Sequence, residues 1–318
     1  MLLNVVIAAY NAEKTIGLLV KSLDHKSSHV GSYSKDDIAI TIVNDASTDS
    51  TLDIIKHLRP NHVAINIINN DVNCGRGVSI NKAVSSLISD YILLVDADCE
   101  AKNENYLSHF IELIRADKSI VFAPMEDPNN DFWAHYFNRS QGKKTATDLA
   151  SFSTTNVLIK TQLFTDAGGF NHLYKSYGFE DRDLLLRIMG RIANTDSAQK
   201  IEINNSAVLL HHTGETIEHY CHKQYLAGKL TRPIFYSRFP ENYKKMSYSR
   251  CDSQTTRLPM TIALTLLAAM LPTLMKLTKG LIERQSLPLN FRIKAVQVCA
   301  ALSYFNGSKT SKSQSLSR

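Results

Sequence analysis

The chain has 318 residues, enough for one large α/β domain with an appendage or for two small domains. A hydrophobic content of 44% with 21% charged residues excludes a disordered chain. The net charge of +6 is unevenly placed: residues 1–220 carry 20 Lys and Arg against 27 Asp and Glu, a balance of −7, whereas residues 221–318 carry 16 against 3, a balance of +13.

The chain opens on an apolar run, Met1 to Tyr10, that lacks a basic leader and stops too soon for a signal peptide. Leu3–Ala9 therefore reads as a buried strand, and the catalytic part is expected in the cytoplasm. The five cysteines are odd in number and far apart, and no C-x-x-C pair occurs. This spacing suits a reducing compartment without structural disulfides or a zinc knuckle. Glu13–Leu23 spaces Ile16, Leu19, Val20 and Leu23 at helical intervals. Ile38–Val43 is a second apolar run, and Leu52, Ile55 and Leu58 give Asp49–Leu58 a helical pattern. Val63–Ile68 predicts a third strand, Gly77–Leu87 a helix and Tyr91–Val95 a fourth strand. Strands alternating with helices predict a mostly parallel sheet flanked by helices on both faces.

Beyond residue 100 the pattern is less regular. Asn103–Arg115 reads as a helix and Pro124–Asp131 as a loop. Leu184–Met189 continues a helix begun by the acidic Glu180-Asp181-Arg182-Asp183, which suits a helix N-terminus. Ala207–Leu210 is a short strand leading into His211-His212. From about Cys221 basic and aromatic residues dominate. Leu258–Met275 then gives 18 residues without a charge, interrupted by Pro259 and Pro272. Phe291–Phe305 is a shorter apolar stretch. The Ser/Lys-rich tail from about 307 is expected to be disordered. The division is thus a catalytic domain over 1–220 and a basic helical region over 221–318.

In sheets of this kind the ligand crevice lies outside the carboxyl ends of the strands. Three apolar runs deliver polar groups to that edge: Tyr10-Asn11, Asn44-Asp45 and Asp96-Ala97-Asp98. Asp96 and Asp98, at i and i+2 on a strand end, point to one side and can share a hard divalent cation bound to a diphosphate. The competing reading is two solvated loop acids. Asp45 is free to accept hydrogen bonds from a base or ribose, while Asp49 or Ser50 caps the following helix. Asn73-Cys74-Gly75-Arg76-Gly77 offers backbone N–H groups and one cation, or is an ordinary turn. It lacks the G-x-x-x-x-G-K-S/T pattern, which excludes a P-loop NTPase. Glu180-Asp181 offers a general base or a helix cap. His211 or His212 offers one imidazole to a metal, or lies at the surface.

Taken together, these motifs resemble glycosyltransferase family 2, the inverting enzymes of the GT-A (Rossmann-like) fold. The matching pieces are Val6 to Glu13, Val43 to Asp49, Asn73 to Gly77, Val95 to Asp98 and Gly178 to Asp181, in family order across residues 3–215. Ala8 departs from the family, which usually has Pro there; this alters turn stiffness, not chemistry. The resemblance implies that Ala9, Tyr10 and Glu13 line a nucleotide pocket, that Asp45 holds the base, and that Arg76 approaches base or phosphates. Asp96 would face ribose and metal, and Asp98 would ligate Mn2+ or Mg2+. Asp181 would be the catalytic base and Glu180 would orient the acceptor. His211 or His212 would be a late metal ligand. The expected donor is a nucleotide sugar of the UDP type, and the expected acceptor a glycan or lipid-linked hydroxyl in cell-surface polysaccharide synthesis.

Two other readings compete. A nucleotidyltransferase needs a Gly-rich basic loop after the first strand, where this chain has Ala8-Ala9-Tyr10-Asn11. A non-catalytic protein using its basic tail on membrane or nucleic acid leaves the acidic motifs without purpose, so no nucleic-acid partner is expected. A Leu258–Met275 helix would be about 27 Å long at ~1.5 Å per residue, marginal for the bilayer core of roughly 30 Å. Basic flanks on both sides suit an in-plane or re-entrant helix on an anionic membrane equally well, and a buried core helix is the third reading. The expected place is the inner face of the cell membrane, where a lipid-linked acceptor is found.

Overall fold

Hydrophobic pattern and strand order together decide where the polar strand ends meet. The computed structural model describes residues 1–24, 37–129, 131–139, 152–193, 200–212 and 214–311. The elements run β1 (Leu3–Ala9), α1 (Ile16–Leu23), β2 (Ile38–Asn44), α2 (Thr51–His57), β3 (Ala64–Asn69), α3 (Arg76–Ser85), β4 (Tyr91–Asp96), β5 (Cys99–Ala101) and α4 (Tyr106–Arg115). There follow β6 (Ile120–Phe122), β7 (Met125–Glu126), α5 (Phe132–Asn138), β8 (Val157–Lys160), α6 (Thr161–Asp166), α7 (Glu180–Ile192), β9 (Ile201–Ile203) and β10 (Leu209–His211). The chain ends in α8 (Ile217–Leu226), α9 (Arg232–Arg238), α10 (Pro240–Lys245), α11 (Leu258–Ala269), α12 (Leu271–Glu283) and α13 (Leu289–Thr310).

Seven strands form one sheet in the order β3-β2-β1-β4-β8-β6-β9. The β1–β2, β2–β3, β1–β4 and β6–β9 pairs are parallel, and β8 runs antiparallel to both β4 and β6. The expected mostly parallel sheet is therefore present. Its central strands are buried on both faces, as the unbroken apolar runs require. Val5, Ile7, Leu93 and Val95 pack with Leu19, Leu23 and Phe110 on one side. Val6, Ile92 and Leu94 pack with Ile80, Val84, Leu185 and Ile188 on the other. A second sheet of three short strands, β5-β10-β7, joins the expected strand before His211-His212 to part of the expected Pro124–Asp131 loop and to residues 99–101, for which no element was expected.

The described residues divide into two units. The first draws on 1–130, 137–172 and 181–213; the second on 131–136, 173–180 and 214–318. Within the second unit a buried ion pair, Arg232 Nε to Asp252 at 2.6 Å, also takes the Tyr243 hydroxyl on Asp252 at 2.7 Å. The Tyr243 hydroxyl in turn meets that of Tyr304 at 2.7 Å. Each member has partners, which a buried charge needs to be tolerated.

Two expectations change. The apolar stretch Leu258–Met275 is not one helix: α11 ends at Ala269, α12 starts at Leu271, and the two are bent by 68°. Pro272, in the first turn of α12, has no N–H to give and its ring collides with the carbonyl four residues back, so the helix breaks there. Among the described residues no single helix is long and apolar enough to cross a membrane. The C-terminal helix also runs further than expected. α13 continues to Thr310, past residue 307, because Phe305 and Ser308 are buried. Residues 312–318, the rest of the expected disordered tail, lie outside the described residues.

Helix α13 approaches the π-helical turn Ala227–Thr231 through two glycines. A Cβ on Gly228 would lie 2.3 Å from the Tyr304 carbonyl oxygen, and one on Gly307 would lie 2.1 Å from that of Tyr225. Both obstacles are backbone and cannot rotate away. Alanine ordinarily favours a helix over glycine by about 1 kcal/mol. Here Gly307→Ala is expected to destabilise the protein by about 1–3 kcal/mol, the usual cost of overpacking. Urea unfolding measures it, and unchanged or raised stability contradicts the close approach.

Candidate active site

Parallel pairing brings the ends of β1, β2 and β4 level: Ala9 pairs with Asn44, and Ala8 with Asp96. The chain must turn after each strand, and the turns after β1 and β2 are tied together. Ala12 N–H donates to Thr51 Oγ1 at 2.7 Å, Thr48 N–H to Asn11 Oδ1 at 2.8 Å, and Ser50 N–H to Glu13 Oε2 at 3.1 Å. Asn11 and Ala46 adopt φ of 50° and 57°. Asn tolerates this region, whereas Ala gains nothing locally and is held there by the surrounding bonds. Asp49 Oδ1 takes both the N–H and the hydroxyl of Thr51, so Asp49, and not Ser50, closes the start of α2. Burial works against its charge, but these bonds prevail and hold its carboxyl below the usual range.

These turns frame a cleft of about 510 Å³ lined by Ala9, Tyr10, Glu13, Asp45, Arg76, Asp96 and Asp98, among others. Every residue expected at the nucleotide thus meets in one cavity. The Tyr10 ring is 51% exposed and free to lie against a flat ligand. Asp45 is placed differently from expectation. It is only 2% exposed, and its carboxylate accepts from Asn70 Nδ2 at 2.8 Å, Cys74 N–H at 2.9 Å and Gly75 N–H at 2.8 Å. It anchors the Asn73–Gly75 loop, and Gly75, with φ of 85°, supplies the turn into α3.

That anchoring aims Arg76. Its Nε donates to Asp96 Oδ1 at 2.6 Å, and its Nη1 to Thr154 Oγ1 at 3.0 Å, with Asp181 Oδ1 at 3.6 Å. The guanidinium also lies over the Phe170 ring at 5.6 Å. Phe170 is fixed by reciprocal bonds to Asn81 and packs where a Cβ on Gly77 would stand 2.9 Å away. Asp181 in turn accepts from the hydroxyls of Thr154 and Ser153. The second oxygen of Asp96 accepts from Thr155 Oγ1 at 2.5 Å.

Ser153, Thr154 and Thr155 join this network, a part that sequence reasoning did not give them. Antiparallel pairing of β8 with β4 sets Val157 opposite Leu94, which brings the residues before β8 to the end of β4. Asn156, at φ 60°, turns the chain there. Its buried amide donates to Pro124 O and Ala207 O and accepts from the Tyr106 hydroxyl. The only sequence signal was the polar run itself.

The two histidines separate. Antiparallel pairing sets His211 of β10 opposite Cys99 of β5, and its Nε2 lies 3.2 Å from Asp98 Oδ2. His212 turns to Glu100 at 3.3 Å. Asp98, Cys99 and His211 hold ligand atoms within 4.8 Å of one another, whereas Asp96 is engaged by Arg76 and Thr155. Cys99 is 1% exposed, and burial, with Asp96 and Asp98 nearby, drives its thiol far up, so it stays protonated. The accessible donors are a carboxylate, which suits Mn2+ or Mg2+, and an imidazole, a ligand for a first-row divalent metal. Burial alone would lower the basicity of His211. The bond to Asp98 and the charges of Asp98, Asp96 and Asp127 outweigh it and raise it. These residues fit a hard divalent cation.

Glu180 Oε2 accepts from the Gly178 N–H at 2.9 Å and so closes the turn that starts α7. Phe179 is held at φ 69° and stacked on Phe235 at 5.0 Å between centroids.

A doubly wound sheet with acidic strand ends around one cleft defines a GT-A-like α/β protein. The chain belongs to glycosyl transferase family 2, whose model matches residues 4–182. A dolichyl-phosphate beta-glucosyltransferase of Trichomonas vaginalis is 31% identical over 108 residues, which cover 33% of this chain and 32% of the relative. A poly(ribitol-phosphate) beta-glucosyltransferase of Bacillus spizizenii is 34% identical over 99 residues, 31% of this chain and 15% of that one. The chain thus spans a third or less of the length of these curated relatives. Among solved structures, S. aureus TarS residues 1–349 with UDP superpose with a TM-score of 0.54 at 16% identity, covering 98% of this chain and 91% of that one. A mannosyltransferase from Pyrobaculum calidifontis with GDP-Man and Mn2+ gives a TM-score of 0.54 at 17% identity, covering 96% and 86%. These likenesses are of fold.

The separation of the histidines has a direct test. His211→Ala is expected to weaken Mn2+ binding by about 10–100-fold or more, since even losing a partner behind a ligand costs that much. His212→Ala leaves it unchanged. Titration calorimetry with Mn2+ measures both, and equal effects of the two substitutions contradict the assignment.

Proposed function

We propose that this protein is an inverting glycosyltransferase that moves a hexose from a UDP-sugar to a hydroxyl of a glycan or lipid-linked acceptor. The observation that carries the reading is the linked set Asp96–Arg76–Thr154–Asp181 at the edge of the strand-end cleft. Family membership and the relatives named as beta-glucosyltransferases support it. The UDP held by TarS supports the choice of nucleotide.

An acceptor hydroxyl is a weak nucleophile near neutral pH. Asp181 takes its proton as the oxygen attacks the anomeric carbon, and Ser153 and Thr154 keep the carboxylate aimed. Attack and departure on opposite faces invert the anomeric configuration. Tyr10 lies against the base, while Asp45 shapes the cleft by fixing the loop before Arg76. Asp98 and His211 would hold a divalent cation, which when bound offsets charge on the diphosphate leaving group. Glu180 keeps the turn before Asp181 closed.

Asp181→Asn keeps the size of the side chain but removes the base. Transfer is expected to fall by about 10²–10⁴-fold, the usual worth of a general base, with UDP affinity retained. Rates of UDP release with and without acceptor, alongside calorimetric UDP binding, measure this. Full transfer in that variant overturns the assignment.

The reading extends to the inner face of the cell membrane, where lipid-linked acceptors reside. Leu258, Met260, Ile262, Leu266 and Met270 expose 53–72% of their surface on and just after α11. Lys276, Lys279 and Arg284 follow on α12 and just after it. An apolar face beside basic residues suits an anionic bilayer surface. At ~1.5 Å per residue α11 is about 18 Å long, well short of the roughly 30 Å core, so an in-plane helix is favoured over a straight span. Ile262→Glu with Leu266→Glu is expected to release the protein from anionic vesicles in a flotation assay. Undiminished flotation contradicts this part of the reading.

A further inference from the structure

Within the second unit lies a pocket of about 260 Å³, smaller than the 300–1,000 Å³ or so usual for drug-sized ligands. Its walls are aromatic: Tyr136, Tyr220, Tyr248 and Tyr304. Those walls are held in place before any ligand arrives. The Tyr136 and Tyr220 hydroxyls meet at 3.1 Å, and Trp133 packs on both rings at 5.6 and 5.5 Å. Tyr304 is fixed by the Tyr243 hydroxyl, itself bonded to the buried Asp252. Two planar amides, Gln224 and Gln297, line the same pocket.

Gln224 is the informative residue. It is only 5% exposed and it lines this pocket. The amide opens onto the pocket, so its donor and its acceptor are both presented to whatever fills that space. No residue lining the pocket carries a charge, although residues 221–318 hold 16 Lys and Arg against 3 Asp and Glu. A phosphate or a nucleotide finds no counter-charge here. An amide that both donates and accepts, in a pocket walled by tyrosine rings, matches a ligand with apolar C–H faces and a rim of neutral hydroxyls.

We infer that this pocket binds a neutral pyranose ring, stacked on the tyrosines and hydrogen-bonded through its hydroxyls to Gln224. The ring belongs to the acceptor glycan; that identity rests on the glycosyltransferase reading, but the binding itself does not.

Saturation-transfer NMR on the full-length protein tests it with methyl β-D-glucopyranoside, methyl N-acetyl-β-D-glucosaminide and methyl α-D-mannopyranoside, with cyclohexanol as the ring lacking a hydroxyl rim and UDP as the probe of the other cleft. At least one pyranoside is expected to bind and cyclohexanol to bind more weakly. Gln224→Leu keeps the bulk and removes the polar atoms; pyranoside affinity is expected to fall about tenfold while the UDP signal stays. Ala301→Phe fills the pocket and is expected to abolish pyranoside binding. The unsubstituted protein gives a second readout: Cys251 lines the same pocket, so the bound pyranoside is expected to protect it from maleimide, read by mass spectrometry. Absence of pyranoside binding, equal binding of cyclohexanol, unprotected Cys251, or binding that survives both substitutions overturns the inference. Loss of the UDP signal with the pyranoside signal intact counts against the proposed function and leaves this pocket standing.

Discussion

The site depends on where one guanidinium is held. Arg76 opens α3, Asp96 closes β4 and Asp181 lies at the start of α7, and no local pattern brings these three segments together. The planar fork of Arg76 does so, with Nε on Asp96 and Nη1 on Thr154 next to Asp181. Arg76, Asp96 and Asp181 keep 23–28% of their side-chain surface exposed, so the ion pairs themselves stabilise the fold only modestly. Their consequence is geometric. Thr154 accepts from Arg76 and donates to Asp181, so moving any one member leaves its neighbours with unmet bonds. Phe170 beneath the guanidinium, locked by Asn81, removes the remaining freedom.

Much of this was legible in the sequence because it follows from strand periodicity. β1, β2 and β4 are apolar runs that end in polar residues, and parallel pairing aligns their ends. The alternation rule carried less far. It put Asp96 and Asp98 on one side, but β4 stops at Asp96, and beyond a strand end the rule no longer governs direction. Asp96 turns to Arg76 and Thr155; Asp98 turns to His211. The choice between His211 and His212 depended on the β5–β10 pairing, a contact between residues more than 100 positions apart that neither three-residue strand announces. Asp45 could be seen at a strand end, but not the loop that returns to occupy its carboxylate. Ser153, Thr154 and Thr155 carry no period at all. Their position follows from the antiparallel β8 and from the left-handed turn at Asn156, and neither has a local signature.

The C-terminal region shows the same limit from the opposite side. Pro259 and Pro272 were both visible, yet they act differently. Pro259 falls in the first turn of α11, where its missing N–H has no partner to lose. Pro272 falls where a continuous helix would need that donor, and the axis turns by 68°. The glycines of the second unit were equally silent in sequence. Gly228 and Gly307 matter because each faces another segment's carbonyl, which composition cannot reveal.

The electrostatics of the cleft constrain what enters it. Five carboxylates, Glu13, Asp45, Asp49, Asp96 and Asp98, line it against Lys14 and Arg76. Four are already committed to the protein: Glu13 to the Ser50 N–H, Asp45 to the loop amides, Asp49 to Thr51, and Asp96 to Arg76 and Thr155. Those bonds tie up lone pairs but do not cancel the field. A diphosphate approaching such a surface meets repulsion from five carboxylates that Lys14 and the already paired Arg76 do not match in number. On the proposed function, a diphosphate donor gains from positive charge brought with it, and Asp98, which lines the cleft with His211 Nε2 3.2 Å away, is where a carboxylate and an imidazole meet. On this argument the acidic cleft does not oppose a diphosphate donor. On the proposed reading it favours a donor that arrives with a divalent cation.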